Sequence, residues 1–255
     1  MFIPSFMGFD KAGFGDPDAL AFFARVTAAG GSLSATEKTA VTTLVTDLKG
    51  YGIWSAMKAI YPMVGASAAA CAQNLKSSSF TGTFSSGWTF ASTGVTPNGT
   101  SAFFNSNFNP TGNFSLTSLA FGGYTSTATQ KDGGYNGSLS PNFLHSWYGY
   151  GLAESFISSS IGTSGGVLGM MQNNLQGGTH KLYKNNTTAA SSLLVITSIP
   201  NQNMFVGACN NGGAGQFFDN HLVSYYYYAD GLTDAQASDH YTAVQAFQTT
   251  IGRQV

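Results

Sequence analysis

Carboxylates, histidines and thiols are the groups that could do chemistry in this chain, and they are sparse and scattered. Between Tyr51 and Ala229 the only acids are Asp132, Glu154 and Asp219. Glycoside hydrolysis needs two carboxylates flanking the scissile bond, and no Glu-x-Asp-x-x-Glu strand pattern supplies them. Asp132 lies in Lys131-Asp132-Gly133-Gly134, a sequence that makes a turn. The histidines are His145, His180, His221 and His240. A zinc site needs three or four converging ligands, and no spacing here provides them. His180 and His221 flank β-type runs and are candidates to face each other across strands. No metal and no cofactor is expected; Asp219 and Asn220, in a loop, come nearest to a calcium pair. Cys71 and Cys209 are expected as two free, buried thiols, because a disulfide would require the fold to bring their Cα atoms within about 7 Å.

Gly162-Thr163-Ser164-Gly165-Gly166 satisfies Gly-x-Ser-x-Gly. A nucleophile elbow also needs a strand before it and a helix after it. Here the flanks are Ser158-Ser159-Ser160 and a β-like run, so the segment reads as loop. The aromatics, 14% of the chain, are the remaining lead. Phe143 to Tyr150 reads Phe-Leu-His-Ser-Trp-Tyr-Gly-Tyr. Two readings fit it. His145, Trp147, Tyr148 and Tyr150 form a platform for a sugar ring, or the same side chains fill the core or a subunit interface. Taken together, the groups predict a protein that is not an enzyme.

Composition narrows the partners. Only 8% of the 255 residues are charged and the net charge is −1, against about a quarter charged in average domains. Solubility then rests on hydroxyls and amides, and a surface so poor in charge predicts coverage by copies of the same chain. No Lys/Arg cluster follows a phosphate backbone, which excludes nucleic acid. No apolar run reaches the ~18 residues of a membrane span. The start, Met1 to Phe9, is apolar but lacks a basic segment and a long apolar stretch, so export through a Sec signal is not expected.

The positioning elements are legible as punctuation. Residues 1–15 read as an irregular arm whose Phe2, Phe6, Phe9 and Phe14 pack back on the domain or dock on a neighbouring subunit. Residues 16–65 read as a helical unit capping one end of a β-sandwich. Asp16-Pro17-Asp18 starts a helix that stops at Gly30-Gly31. Ser34-Ala35-Thr36-Glu37 is a capping box for a second helix, with Val41, Leu44, Val45 and Leu48 as its apolar stripe. Trp54, Met57 and Ile60 suggest a third helix before Pro62. Ala66 to Ala72 reads as a linker of small residues.

From residue 66 to 255 the texture is β. Short runs (Phe80 to Phe84, Trp88 to Phe90, Phe114 to Tyr124, Val167 to Met171, Lys181 to Tyr183, Leu193 to Ile199, Met204 to Ala208, Leu222 to Tyr228) alternate with turn signals at Asn98-Gly99, Asn136-Gly137 and Gly212-Gly213. Such a pattern argues for a sandwich of antiparallel sheets. Leu222 to Tyr228 carries large groups on both faces and suits a strand buried on both sides. The stretch 158–178 reads as exposed loop plus one strand. Thr233 and Gln236 cap a final helix that Gly252 stops, with Ala237, Tyr241, Val244, Phe247 and Ile251 as its buried stripe.

Two parts of the chain resemble a known group. The segment from Asp47 through Gly50-Tyr51-Gly52-Ile53-Trp54 to Pro62-Met63-Val64-Gly65 looks like the helical lead-in of a set of bacteriophage virion proteins. Asn74-Leu75-Lys76 and Phe84-Ser85-Ser86-Gly87-Trp88 are similar to the opening of the sandwich in those proteins. Gly231-Leu232-Thr233-Asp234 and Tyr241 to Arg253 are similar to its end, and Leu182-Tyr183-Lys184-Asn185-Asn186 looks like a laminin-G-type strand and hairpin. The resemblance covers residues 16 to 104 and 180 to 255. It implies a mainly β fold, a concanavalin-like (laminin-G-like) antiparallel β-sandwich with a small N-terminal helical unit and a C-terminal helix. It also implies a non-enzymatic structural protein of the virion, whether head decoration, fibre or tail component. Its partners would be other virion proteins and copies of itself, with a host-surface glycan as the alternative. No site residue comes with it.

Overall fold

A computed structural model of the chain describes residues 15–126, 169–193 and 199–255, and the backbone of four strands between 135 and 157. Helices α1 (Pro17–Ala28) and α2 (Ala35–Gly50) come first, then β1 (Met57–Tyr61) and the single turn α3 (Ala68–Cys71). Next are β2 (Thr83–Phe84), β3 (Trp88–Ala91), β4 (Gly94–Pro97), β5 (Phe104–Asn105) and β6 (Ser118–Thr125). The four backbone-only strands are β7 (Tyr135–Ser138), β8 (Leu144–Trp147), β9 (Tyr150–Ala153) and β10 (Ser155–Ile157). They are followed by β11 (Gly169–Gln176), β12 (Thr179–Lys184), β13 (Thr187–Leu193), β14 (Phe205–Val206), β15 (Ala208–Asn211), β16 (Ala214–Gln216), β17 (Tyr225–Ala229) and α4 (Asp234–Thr250).

The central sheet runs β1-β17-β6-β11-β12-β13 and is antiparallel throughout. One face is covered by α1, α2 and α4; the other carries the small sheet β14-β5-β2 and the β3-β4 ribbon. This is the expected antiparallel β-sandwich with N-terminal helices and a C-terminal helix. A second six-stranded sheet, β10-β9-β8-β7-β15-β16, is joined through a parallel β7–β15 pairing.

Strand β17 shows why the layers form. Tyr225, Tyr226, Tyr227 and Tyr228 are all fully buried. Successive side chains of a strand point to opposite faces. Tyr225 and Tyr227 therefore enter the core under the helices, while Tyr226 and Tyr228 enter the core under the small sheet. Tyr228 stacks on Phe108 with ring centroids 4.4 Å apart.

The helix-side polar groups meet at one residue. Gln172 of β11 donates from Nε2 to the Ala237 carbonyl of α4 at 3.0 Å. Its Oε1 lies 2.8 Å from His240 Nδ1 and accepts from the Tyr227 hydroxyl at 3.2 Å. His240 Nε2 is 3.0 Å from the Tyr225 hydroxyl. Gly122 of β6 lies between Tyr227 and Gln172 in the register, so no side chain of the intervening strand blocks the bond between them. Asn174 holds Leu232 from both sides, N–H and C=O each at 2.7 Å. At the end of the chain the buried Arg253 guanidinium donates to the carbonyls of Ser92, Met63 and Ser224 at 2.6, 2.9 and 3.3 Å.

Both helix-start signals hold, Asp16 with Pro17 and the Ser34/Glu37 box, as does the Thr233/Gln236 box of α4. Cys71 and Cys209 are free and buried. Several expectations are corrected. The third helix is strand β1: a register shift after Met57 brings Met57 and Ile60 to one face, which imitates helical spacing. The segment Ala66 to Ala72 contains the Ser67-capped turn α3. The helices cover the face of the central sheet rather than one end, because that face presents Ala120, Tyr124, Met170, Tyr225 and Tyr227. Asn136-Gly137 lies within β7, not in a turn. Residues 169–176 are a central strand buried up to Leu175, with the Gln172 and Asn174 amides bonded to α4 and its lead-in. The buried stripe of α4 includes His240 and Gln248, while Tyr241 and Ile251 sit at its margin.

Burial pushes His240 down to about 3 and His180 down to about 4, from the usual 6.5. The folded chain refuses protons that the unfolded chain accepts in that window, so stability falls as pH drops from 6.5 toward 4 and is level for these groups above 7. The urea midpoint is expected to be lower at pH 5 than at pH 7.5. His240→Gln, although less stable at neutral pH, is expected to show a shallower acid slope.

Candidate functional site

Two segments that are distant in sequence are paired by β5 and β14, with Asn105 opposite Phe205 and Phe104 opposite Val206. Ser106 extends the pairing, its N–H and hydroxyl both donating to the Met204 carbonyl at 3.1 and 2.6 Å. Along the first segment Phe104, Ser106 and Phe108 are fully buried and alternate with Asn105, Asn107 and Asn109. A strand of period 2 with an apolar inner face thus presents a row of amides outward. Local bonds fix the row. Asn105 Oδ1 accepts from Asn107 N–H at 2.9 Å, and Asn109 Oδ1 from Thr111 N–H at 3.0 Å. Asn107, at φ +55°, tolerates the left-handed backbone as asparagine can, and its Nδ2 donates to the Thr81 carbonyl at 2.7 Å.

The second segment supplies Asn201, Gln202, Asn203 and, from the β15–β16 hairpin, Asn210. Together the two line an open cleft of about 520 Å³. Phe103 and Phe205 stack in it, ring centroids 4.4 Å apart and planes 10° from parallel. Phe205 is buried beneath and Phe103 is half-buried. Asn210 is the floor: its Nδ2 donates to the Asn203 carbonyl at 2.8 Å and its Oδ1 accepts from Gly213 N–H at 2.8 Å. Asn109 Nδ2 donates to Asn201 Oδ1 at 2.9 Å across the cleft. Among the described residues no lining residue is an acid, a base, a histidine or a cysteine.

The sequence-based candidates lie elsewhere. His145, Trp147 and Tyr150 fall on β8 and β9, with Trp147 opposite Tyr150 and Tyr135, and His145 opposite Leu152 and Gly137. Their side chains, and Tyr148, lie outside the described residues, as do Phe2, Phe6, Phe9, Phe14, Asp132, Glu154 and the Gly162–Gly166 segment. Their sheet reaches the cleft through β15, where Ser138 of β7 pairs with Asn210. Asp219 is buried, and its Oδ1 pairs with His221 Nδ1 and accepts from Asn220 and His221 N–H. Among the described residues no three His, Cys, Asp or Glu gather to hold a metal. His180 pairs with Leu175 and Ser192 while His221 precedes β17, so the two histidines are not cross-strand partners. Burial pushes both thiols up, Cys71 to about 12. A second crevice, about 550 Å³ at the ends of α2 and α4, contains Glu37, whose oxygens are taken by Ser34 and Gly65 N–H. The amide row was missed in the sequence, although the alternation from Phe104 to Asn109 is a readable signal for it.

No family model and no curated protein matches the chain. Solved structures do. A mutant sialidase from Trypanosoma rangeli that displays trans-sialidase activity superposes at a TM-score of 0.52 and 9% identity, over 82% of this chain and 39% of that one. Domain 4 of an extracellular GH43 arabinanase from Geobacillus stearothermophilus, in complex with arabinotriose, gives 0.45 and 15%, over 72% of this chain and 98% of that domain. Both neighbours are parts of carbohydrate-active proteins. The sialidase likeness shows the fold.

Removing the floor of the cleft tests its build. Asn210→Ala removes the bonds to the Asn203 carbonyl and to Gly213 N–H, a loss of about 1–3 kcal/mol at about 0.5–1.5 kcal/mol for each bond. Urea denaturation should show that loss, and hydrogen exchange should show faster exchange at Gly213.

Proposed function

We propose that this chain is a non-enzymatic surface protein of a bacteriophage particle whose sandwich holds carbohydrate in the amide-lined cleft. The observation that carries the reading is the cleft itself. Aromatic rings with amides beside them are the combination that orients a sugar, the ring faces taking its C–H surface and the amides its hydroxyls. The absence of any acid, histidine or cysteine from the described lining supports binding without turnover. Asp219, one of the three acids between Tyr51 and Ala229, is occupied by His221.

The particle setting is supported by the resemblance of residues 47–65, 74–88 and 231–253 to virion proteins and by a surface that relies on amides rather than charges. Self-association fits the exposed Leu20 and Tyr51 on the helical layer. On this reading the helices face neighbouring copies or other virion proteins, and the cleft faces outward toward the host envelope.

Two measurements test it together. Immunogold labelling of intact particles with an antibody to the sandwich should decorate head or tail, and unlabelled particles would remove the virion setting. Purified protein should be retained by host-envelope polysaccharide and release no new reducing ends from it. Retention is expected to fall about tenfold or more in Phe103→Ala, the scale of losing one ring–sugar stacking contact.

A further inference from the structure

The two segments that build the cleft come from parts of the chain with an unusual property. Residues 77–130 and 185–218 contain no Asp, Glu, Lys, Arg or His. The described lining of the cleft is therefore uncharged, and no ionisable group of those types lies in the stretches that supply it. Its polar capacity is also mixed. Asn201 Oδ1 is used by Asn109, and Asn105 Oδ1 by Asn107 N–H, which leaves the Nδ2 donors of both. Asn203 Nδ2 reaches Asn107 Oδ1 at 3.4 Å and leaves its own Oδ1 as an acceptor. The Gln202 amide adds both kinds. Donors and acceptors thus sit side by side around the half-buried Phe103 ring.

From this we infer that the cleft selects neutral, polyhydroxylated sugars and rejects acidic ones. The inference rests on the carbohydrate reading above and names its ligand class. A hydroxyl is donor and acceptor at once, so a row of neutral sugar hydroxyls can satisfy both amide ends in turn. The carboxylate of a sialic acid or uronate, or a sulfate group, would bring only acceptors to that edge. It would also surrender hydration with no cation to compensate, a large penalty for a charge that leaves water unpaired. The attraction that does operate, ring stacking and neutral hydrogen bonds, carries no charge–charge term. Affinity should then be nearly independent of ionic strength, whereas salt screens attraction between charges.

The experiment is a calorimetric titration of the full chain with paired oligosaccharides. Neutral gluco-, galacto-, manno-, arabino- and N-acetylhexosamine forms are set against sialylated, uronate-containing and sulfated counterparts. The expected result is binding of at least one neutral form, with the matching acidic form about tenfold weaker or worse. Its Kd should change by less than about twofold when salt is raised from about 0.05 to 0.5 M. Phe103→Ala and Asn203→Asp should each lose about tenfold, and Phe103→Tyr should retain binding, which separates loss of the site from loss of the fold. Preference for an acidic form that still depends on Phe103 would overturn the neutral selection and leave the carbohydrate reading standing. Sugar binding unaffected by Phe103→Ala, or no binding across the panel, would overturn both.

Discussion

The fold depends on a neutral histidine held under a helix. His240 is fully buried, and its two ring nitrogens face Gln172 on β11 and Tyr225 on β17. With Gln172 also holding Tyr227 and the Ala237 carbonyl, one polar cluster ties α4 to strands on both sides of β6. Inside a low-dielectric core such a cluster has to be satisfied as a unit, because each unpaired member costs more there than at the surface. An aliphatic side chain in place of Gln172 would strand three groups at once. The position of α4 therefore follows from hydrogen-bond geometry as well as from apolar packing, and α2, which packs beside it, follows in turn.

The same preference for amides over charges runs from the core to the surface. Asn174 holds both backbone groups of Leu232, and Asn74 accepts from Ile60 and Lys76 N–H while donating to the Ser79 carbonyl. A primary amide offers donor and acceptor together, so it can substitute for a missing ladder partner without bringing a charge to desolvate. Inside, this closes loops over two cores; at the β5–β14 edge, the same residue type is left partly unpaired and faces solvent. The cleft thus uses the chemistry of the fold with its last partners missing.

Sequence signals are legible where chemistry is local. Caps at Asp16, Ser34 and Thr233 depend on residues two or three apart, and the two-sided burial of β17 is written in its run of aromatics. The features that escape a sequence reading depend on distant partners. Met57 and Ile60 imitate a helical stripe because a bulge, which only pairing with β17 creates, turns them to one side. Asparagines at 173 and 174 look like loop until the lead-in to α4, which satisfies Asn174, is in place. The cleft is illegible for the same reason: Asn105 and Asn203 approach only through the β5–β14 pairing, across a sequence separation no periodicity spans.

The pairing of β1 with β17 has a further consequence for how the chain is made. The first strand of the central sheet has its only sheet neighbour in the last, and Arg253 then locks the carbonyls of Met63, Ser92 and Ser224. While the ribosome is still making residues 62–224, Tyr61 and Ala59 have no strand to lie against and the helices have only half of their sheet. Contacts this far apart in sequence close late. Residues as far along as Arg253 must therefore clear the exit tunnel before the layers can shut. Until then its tyrosine- and phenylalanine-rich strands stay exposed to their neighbours on the polysome, the kind of surface on which unfinished chains associate.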